Sequence, residues 1–142
     1  MKIDIPSVTD NPSDADVRFL EDRITEYNVE TTGITDGRIL SFFIRDECQE
    51  IVAGLFGWTW GRACEIRDLW VRKDLRKHGF GKALMAAAEE EAVLRGCTLI
   101  ALDTHSFQAP AFYQRLGFEI IGSHRDYPRG HVKHYLRKTL KK

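Results

Sequence analysis

Residues 69–82, LWVRKDLRKHGFGK, contain the turn that decides the fold of this chain. The stretch begins as an apolar strand, continues as a charged loop and opens a helix at two closely spaced glycines. A helix N-terminus has unpaired backbone N–H groups and a partial positive charge, and glycines let an anion approach that backbone closely. The stretch therefore predicts an anion-binding turn. The spacing fits neither the P-loop nor the dinucleotide fingerprint, and a plain strand-to-helix turn is the alternative.

Upstream of this turn the pattern is that of β-strands. Short polar turns separate three segments rich in apolar and aromatic residues, so we expect an antiparallel meander. Gly54 and Gly57, inside the second segment, predict a bulge or a close approach of two backbones. The three predicted strands span residues 38–45, 51–60 and 63–71.

Helices and further strands complete the pattern. A four-residue apolar repeat predicts a helix at 79–95, which Gly96 would end. Another helix should begin before the meander, with Asp14 or Asp16 as its N-cap. The strand–helix–strand unit at 63–103 should be a right-handed parallel crossover. The other predicted elements are a loop at 31–37, a helix at 109–116 and strands at 98–103, 118–122 and 131–140.

These elements predict a mixed α/β fold with a six- to seven-stranded sheet. The sheet should combine the antiparallel N-terminal meander with a parallel central pair, and helices should flank it. A length of 142 residues with 43% hydrophobic composition is ordinary for one globular domain, so we expect a single domain over residues 1–142.

Composition also excludes several classes of function. Lys+Arg and Asp+Glu are both 21, which argues against nucleic acid as the main partner. No apolar run approaches the ~20 residues of a membrane helix, and the N-terminal stretch lacks the apolar core of a signal peptide. Three cysteines without a CxxC motif support neither a disulfide framework nor a zinc site. We expect a cytoplasmic protein without a metal.

The charges are unevenly distributed along the chain. Residues 1–30 have a net charge of −5, and residues 124–142 have a net charge of +6. Solvated faces of opposite sign are the favoured interpretation. A basic interaction segment at the C-terminal end is the alternative.

Two sequence motifs, taken together, indicate a protein family. RKHGFG at 76–81 follows a strand and opens a helix, and FYQRLGF at 112–118 ends a later helix. Their order and separation resemble the GNAT superfamily of acetyl-CoA-dependent N-acetyltransferases, over roughly residues 38–140. The resemblance implies an enzyme that moves an acetyl group from acetyl-CoA to a primary amine by direct attack in a ternary complex, without a metal.

The resemblance also implies where coenzyme A binds. Its pyrophosphate would lie on the amides of residues 77–82, and its pantetheine arm along a strand that splays from the strand at 99–103. The N–H of Trp70 or Val71 would polarise the thioester carbonyl. Ser106 replaces an asparagine of many members and would cap a helix or bond the pantetheine. The implied cofactor-binding residues are Leu69, Trp70, Val71, Arg76, Lys77, His78, Gly79, Phe80, Gly81, Lys82 and Ser106.

Tyr113 and Glu65 are the implied catalytic residues. In the family, a tyrosine at the position of Tyr113 reaches the thioester sulfur as a general acid, whereas a purely core role is the alternative. Glu65 falls where some members have a general base, and Asp68 should lie on the opposite face of the same strand because side chains alternate. Either could be a surface carboxylate, and a water chain could replace a dedicated base. His105 and His131 are weaker candidates.

The acceptor and the assembly are less constrained by the sequence, and the expected acceptor is the amine of a small molecule or of a peptide. A cationic amine fits an acidic, aromatic-walled site, for which the candidates are Tyr27, Trp58, Trp60, Tyr127, Glu26, Glu30 and Glu65. A non-catalytic acyl-CoA sensor and an interaction domain using residues 124–142 are the rival functions. A homodimer through the strand at 131–140 is plausible.

Overall fold

The computed structural model describes residues 1–141, so the last lysine of the basic segment, Lys142, lies outside the described residues. The chain divides into two compact units, the first over Met1–Thr35 and the second from Asp36 onward. The first unit contains one helix, α1 (Asp14–Thr32), and the second contains the sheet and the other helices. Within residues 1–141, no helix combines the length and apolarity that a bilayer crossing requires.

Helix α1 begins one residue earlier than the predicted caps. The hydroxyl of Ser13 accepts a hydrogen bond from the Asp16 N–H at 3.1 Å, so Ser13 is the N-cap and the two predicted aspartates lie in the first turn. The helix ends at Gly33, whose positive φ of 71° closes it, so the predicted loop starts two residues later than expected. None of the side chains of α1 is buried.

The second unit is built on a six-stranded sheet in the order β1-β2-β3-β4-β6-β5. Only β3 and β4 are parallel, and every other pair is antiparallel. The predicted fold class is therefore confirmed, with six strands. The elements are β1 (Arg38–Arg45), β2 (Ile51–Trp60), β3 (Ala63–Val71), a 3-10 turn (Lys73–Leu75), α2 (Phe80–Leu94), β4 (Leu99–His105), α3 (Pro110–Arg115), β5 (Glu119–Arg125) and β6 (Val132–Thr139).

Helix α2 packs its apolar stripe on the sheet. Ala88 and Ala92 are fully buried, and these small side chains let the helix approach the strands closely. Leu84 and Met85 complete the buried face. Gly96 ends the helix region with a positive φ of 80°, as predicted. The helix therefore fixes the position of the turn that precedes it.

A β-bulge interrupts the pairing of β2 with β3. The register shifts between Phe56 and Gly57, which confirms the prediction from the glycines of β2. A Cβ atom on Gly57 would lie 2.1 Å from the carbonyl oxygen of Glu65, so only glycine fits there. Phe56 pairs with Asp68 and Gly57 pairs with Ile66, so Arg67 is the extra residue on β3.

The bulge changes which side chains of β3 share a face. Cys64 and Ile66 are buried in the core before it, and Leu69 packs against the core after it. Asp68 therefore lies on the same face as Glu65, away from the core. The prediction that these carboxylates lie on opposite faces is wrong, because strict alternation fails at a bulge.

Candidate active site

The parallel strands β3 and β4 diverge after a short ladder. They pair only from Ala63 with Leu99 to Glu65 with Ala101, and beyond these residues the strands separate. The predicted divergence is thus present. A cavity of about 220 Å³ occupies this region; its lining consists of Ile66, Arg67, Asp68, Leu69, Trp70, Leu102, Asp103, Thr104, Gln108, Ala109 and Tyr113.

The register of β3 decides which of its backbone groups face the gap. The N–H of Arg72 donates to the carbonyl of Val52 on β2 at 2.8 Å. Because N–H groups alternate in direction along an antiparallel strand, Trp70 faces β2, whereas Leu69 and Val71 face the diverging β4. Of the two implied oxyanion donors, Val71 is therefore the one directed toward the gap. Backbone groups without a strand partner can bind the amides of an extended ligand.

Tyr113 is buried among aromatic rings and also borders the cavity. Its ring is only 8% exposed and makes edge contacts with Phe112 and Phe118, at centroid distances of 5.1 and 5.8 Å. It also lines the cavity, and within residues 1–141 its hydroxyl has no hydrogen-bond partner. Burial, and secondly the charge of Asp103, raise the pKa of Tyr113 to about 12. The phenol therefore stays protonated at neutral pH.

Polar residues after β4 set the position of α3. The side-chain oxygen of Gln108 accepts a hydrogen bond from the His105 N–H at 2.7 Å, and Thr104 Oγ1 accepts one from Ala109 N at 3.4 Å. These contacts hold the start of the helix that presents Tyr113. Sequence reasoning missed Asp103 and Thr104, at the end of β4, and Gln108, between β4 and α3, as cavity residues.

Ser106 links two strands instead of capping a helix. Its Oγ accepts a hydrogen bond from Val132 N at 3.0 Å, and its own N–H donates to Val132 O at 2.7 Å. Helix α3 has Ala109 at its N-cap and no side-chain cap, so the capping alternative for Ser106 is wrong. Ser106 does not line the cavity either.

The loop before α2 has the strand–loop–helix geometry on which the prediction of an anion-binding turn rests. Gly79 is the N-cap with φ 87°, and the first bond into the helix runs from Ala83 N to Gly79 O at 2.9 Å. The amides of residues 80–82 precede that bond and have no intrahelical acceptor. Arg76 Nε donates to Val71 O at 2.9 Å, which ties the loop to the end of β3.

Gly81 has a packing role beside its place in the turn. A Cβ atom there would lie 3.3 Å from Cζ of Phe112 and 3.9 Å from Cγ2 of Val71. Glycine therefore lets the start of α2 approach both α3 and the end of β3. The anion-binding turn, the strand gap and the tyrosine helix consequently lie next to one another.

The two carboxylates of β3 differ in their relation to the cavity. Asp68 lines it and forms an exposed ion pair with Arg67, with 3.3 Å between Nε and Oδ2. Glu65 is exposed, pairs in register with Trp58 and Ala101, and is absent from the cavity lining.

The other sequence candidates lie in several places. Trp60 lines a second cavity, and Tyr127 contacts the rings of His105 and His124. His105 and His131 both pack on Phe107 and do not line the first cavity. Tyr27, Glu26 and Glu30 belong to the first unit, where Glu26 pairs with Arg23.

Comparison with known proteins decides the family. A model of the acetyltransferase (GNAT) family matches residues 9–118. This chain belongs to the GNAT acetyltransferase family. It is an acetyl-CoA-dependent N-acetyltransferase with acetyl-CoA as its co-substrate, as the motifs predicted.

Similar proteins cover most of this GNAT chain. Blasticidin-S acetyltransferase of Streptomyces morookaense is 36% identical over 116 residues, which are 77% of this chain and 83% of that protein. A crystal structure from Agrobacterium tumefaciens, provisionally named an acetyltransferase, is 31% identical with a TM-score of 0.85, covering 99% of this chain and 100% of that one. A Bacillus anthracis structure of the same fold, 24% identical with a TM-score of 0.63 over 72% of this chain and 63% of that one, was solved with acetyl-CoA.

Proposed function

We propose that this acetyltransferase moves the acetyl group of acetyl-CoA directly to the primary amine of a small molecule while both substrates are bound. The observation that carries the proposal is the cavity of about 220 Å³ between the diverging strands, with Tyr113 in its lining. A gap of this kind brings a thioester next to a protonated phenol.

Coenzyme A fits the unpaired groups around this gap. Its pyrophosphate lies on the amides of residues 80–82 at the N-terminus of α2, where the helix dipole and Lys82 favour an anion. Its pantetheine amides pair with the backbone of Leu69, since Val71 O already accepts from Arg76 and the Val71 N–H is left for the thioester carbonyl. Arg76 adds positive charge from the position that its bond to Val71 O fixes.

The proposed reaction is a direct displacement. The amine nitrogen attacks the thioester carbon, and the N–H of Val71 stabilises the negative charge on the carbonyl oxygen. The C–S bond then breaks, and the Tyr113 hydroxyl gives its proton to the departing sulfur. The proton lost by the amine returns to the phenolate through water. The products are an amide and free CoA thiol, and no covalent enzyme intermediate forms.

A carboxylate next to the cavity assists the amine. A protonated alkyl amine has a pKa of about 10 and no lone pair, so it must lose a proton before it attacks. We assign this role to Asp68, because it lines the cavity and Glu65 does not. Glu65 remains the comparison residue for the test.

The acceptor is proposed to be a small cationic amine. Asp68 and Asp103 outnumber Arg67 among the charged residues of the cavity lining, and Trp70, which is 48% exposed, offers an aromatic face for a cation. The similarity to a protein named blasticidin-S acetyltransferase supports a small-molecule acceptor.

A free-thiol release assay tests the proposal. Purified protein with acetyl-CoA should release CoA thiol with at least one member of a panel containing polyamines, aminoglycosides, blasticidin S, amino acids and peptides with free N-termini. Mass spectrometry of the product should show one added acetyl group on an amine. Turnover with peptides alone would overturn the small-molecule assignment, and an acetylated enzyme intermediate would overturn direct attack.

A further inference from the structure

A second cavity lies at the opposite end of the sheet from the acetyl-transfer site. Its volume is about 270 Å³, and it lies near the turn between β2 and β3, whereas the transfer site lies near the end of β3. Strand β3 separates the two ends by about 26 Å, at ~3.3 Å per residue. The lining residues are Asp36, Arg38, Thr59, Trp60, Arg62, Arg95 and Cys97.

The cavity has an excess of positive charge. Three of its lining residues are arginines and one is an acid, so the lining has a formal charge of +2. Within residues 1–141 Asp36 forms no ion pair with these arginines, and its carboxylate accepts the Gly61 N–H at 2.9 Å. Arg38 and Arg62 have no side-chain hydrogen bond or ion pair within residues 1–141. Two guanidinium groups are thus available to a ligand.

Arg95 forms the inner part of this cavity. Its side chain is only 14% exposed, and Nη1 donates to Ile39 O and to Thr59 Oγ1, both at 3.1 Å. Its buried Nε has no hydrogen-bond acceptor among the described residues, because Glu91 Oε2 is 3.6 Å away. Glu91 forms an ion pair with Arg95 at this distance but leaves the Nε–H without an acceptor, and an oxyanion within hydrogen-bond distance would satisfy that donor.

The backbone holds Arg62 in an unusual conformation. Gly61 and Arg62 form the two-residue turn between β2 and β3 with φ values of 57° and 68°. Glycine and asparagine are the usual residues at such positions, because a Cβ atom is strained there. The Arg62 carbonyl also accepts Thr98 N at 2.9 Å, so the turn is fixed to the start of β4. An arginine at this position directs charge to the cavity at a conformational cost.

We propose that this second cavity binds a small doubly charged oxyanion, a phosphate monoester or a dicarboxylate, between Arg38 and Arg62. Guanidinium groups bind carboxylate and phosphate oxygens through paired N–H donors. The C-terminal dipole of α2 opposes an anion here, but Arg95 at its C-cap offsets that partial charge. The site is separate from the pyrophosphate turn at the other end of α2.

Inorganic phosphate and malonate are the probes for calorimetric titration. Chloride should hold the ionic strength constant, and saturating CoA should occupy the pyrophosphate turn. We expect saturable binding of at least one probe to the wild-type protein, and an Arg38→Gln/Arg62→Asn variant should bind it at least ~10-fold more weakly. Asparagine is chosen because it tolerates a positive φ.

The matched control is Arg125→Gln, which removes an exposed arginine of β5 outside the cavity. It should bind the probe like the wild type, and melting curves should show that both variants fold. Three results would overturn the proposal: no saturable binding of either probe, binding that CoA abolishes, or equal affinity in the double variant and the control. Failure of acetyl transfer would leave this readout unchanged, so the two proposals are tested separately.

Discussion

At the scale of single residues, Tyr113 is both a packing residue and the proton donor that we propose. Its ring fills the space between Phe112 and Phe118, and this burial raises the pKa of its hydroxyl to about 12. The group is therefore fully protonated but a weaker acid than a phenol in water. Donation of its proton to a thiolate, whose conjugate acid has a pKa of ~8.5, is uphill and requires the two groups to be held in hydrogen-bond contact.

Replacement of Tyr113 by phenylalanine separates these two roles. Phenylalanine keeps the ring packing and removes the proton donor, so kcat should fall by about 10²–10⁴-fold while the Kd for acetyl-CoA stays nearly constant. Steady-state kinetics with a real acceptor, calorimetry and a melting curve check this. A fall in kcat of less than ~3-fold in a folded variant would return Tyr113 to a purely structural role.

The carboxylates of β3 provide a second comparison at this scale. Asp68→Asn should lower kcat/KM for the amine by about 10-fold or more at neutral pH, because the cavity loses the carboxylate that we assign to accept the proton of the amine. Glu65→Gln should have a smaller effect, because Glu65 does not line the cavity. Steady-state kinetics of both variants over a pH series should show which carboxylate accepts the proton of the amine. The reverse order of effects would favour Glu65, the residue that the sequence singled out.

The difference between these two carboxylates has a physical cause that the sequence did not reveal. The glycines of β2 predicted a bulge but not its position on β3. Once Arg67 is the extra residue, Asp68 shares a face with Glu65. Tyr113, by contrast, could be singled out from its motif alone.

At the scale of elements, the start of α2 depends on a close contact with α3. The helix, its glycine N-cap and the preceding loop were predictable from sequence, because these features are local. The contact between Gly81 and Phe112 was not, because the two residues are 31 positions apart in the chain. The same holds for Gln108 and Thr104, whose role depends on how β4 meets α3.

Substitution of Gly81 tests this element. Gly81→Glu should raise the Kd for acetyl-CoA by ~10-fold or more, about 1.4 kcal/mol, because the side chain displaces Phe112 and adds negative charge at the helix N-terminus. Gly81→Gln is the neutral control of similar size, and it should lose less affinity. Calorimetry with both folded variants provides the measurement. Unchanged CoA affinity in Gly81→Glu would contradict the placement of the pyrophosphate.

At the scale of the whole molecule, the meander and the parallel pair followed from the predicted elements, whereas the order β4-β6-β5 was not predicted. Short connections indicated the meander, and the long helical connection indicated the parallel pair. The cavity lining did not follow, because it is assembled from β3, β4 and α3, which are distant in sequence. The single-domain assignment, the homodimer and the cytoplasmic location remain predictions.

Alkaline pH should destabilise the folded molecule through two buried groups. Burial is the main cause that raises the pKa of both Cys64 and Tyr113 to about 12, whereas an unfolded thiol and phenol ionise near ~8.5 and ~10. The unfolded state then loses protons first, so the free energy of unfolding should fall as pH rises from about 9 to 12, by up to ~1.4 kcal/mol per pH unit for each group.

Urea unfolding of wild type and of Tyr113→Phe at several pH values checks this dependence. The variant should lose the part of the slope that lies above pH ~10, because phenylalanine has no proton to release. Parallel slopes in the two proteins would contradict the assignment of that part to Tyr113.

The parallel ladder between β3 and β4 contains only three residue pairs, from Ala63 with Leu99 to Glu65 with Ala101. It is the sole strand pairing that joins the meander to the other half of the described sheet, so the seam is mechanically weak. A bound pantetheine arm would lie between β3 and β4 beyond the end of their ladder and would connect the two halves of the sheet there. Acetyl-CoA should therefore slow hydrogen–deuterium exchange in β4 as well as in β3. The co-substrate of the reaction would then also stabilise the sheet.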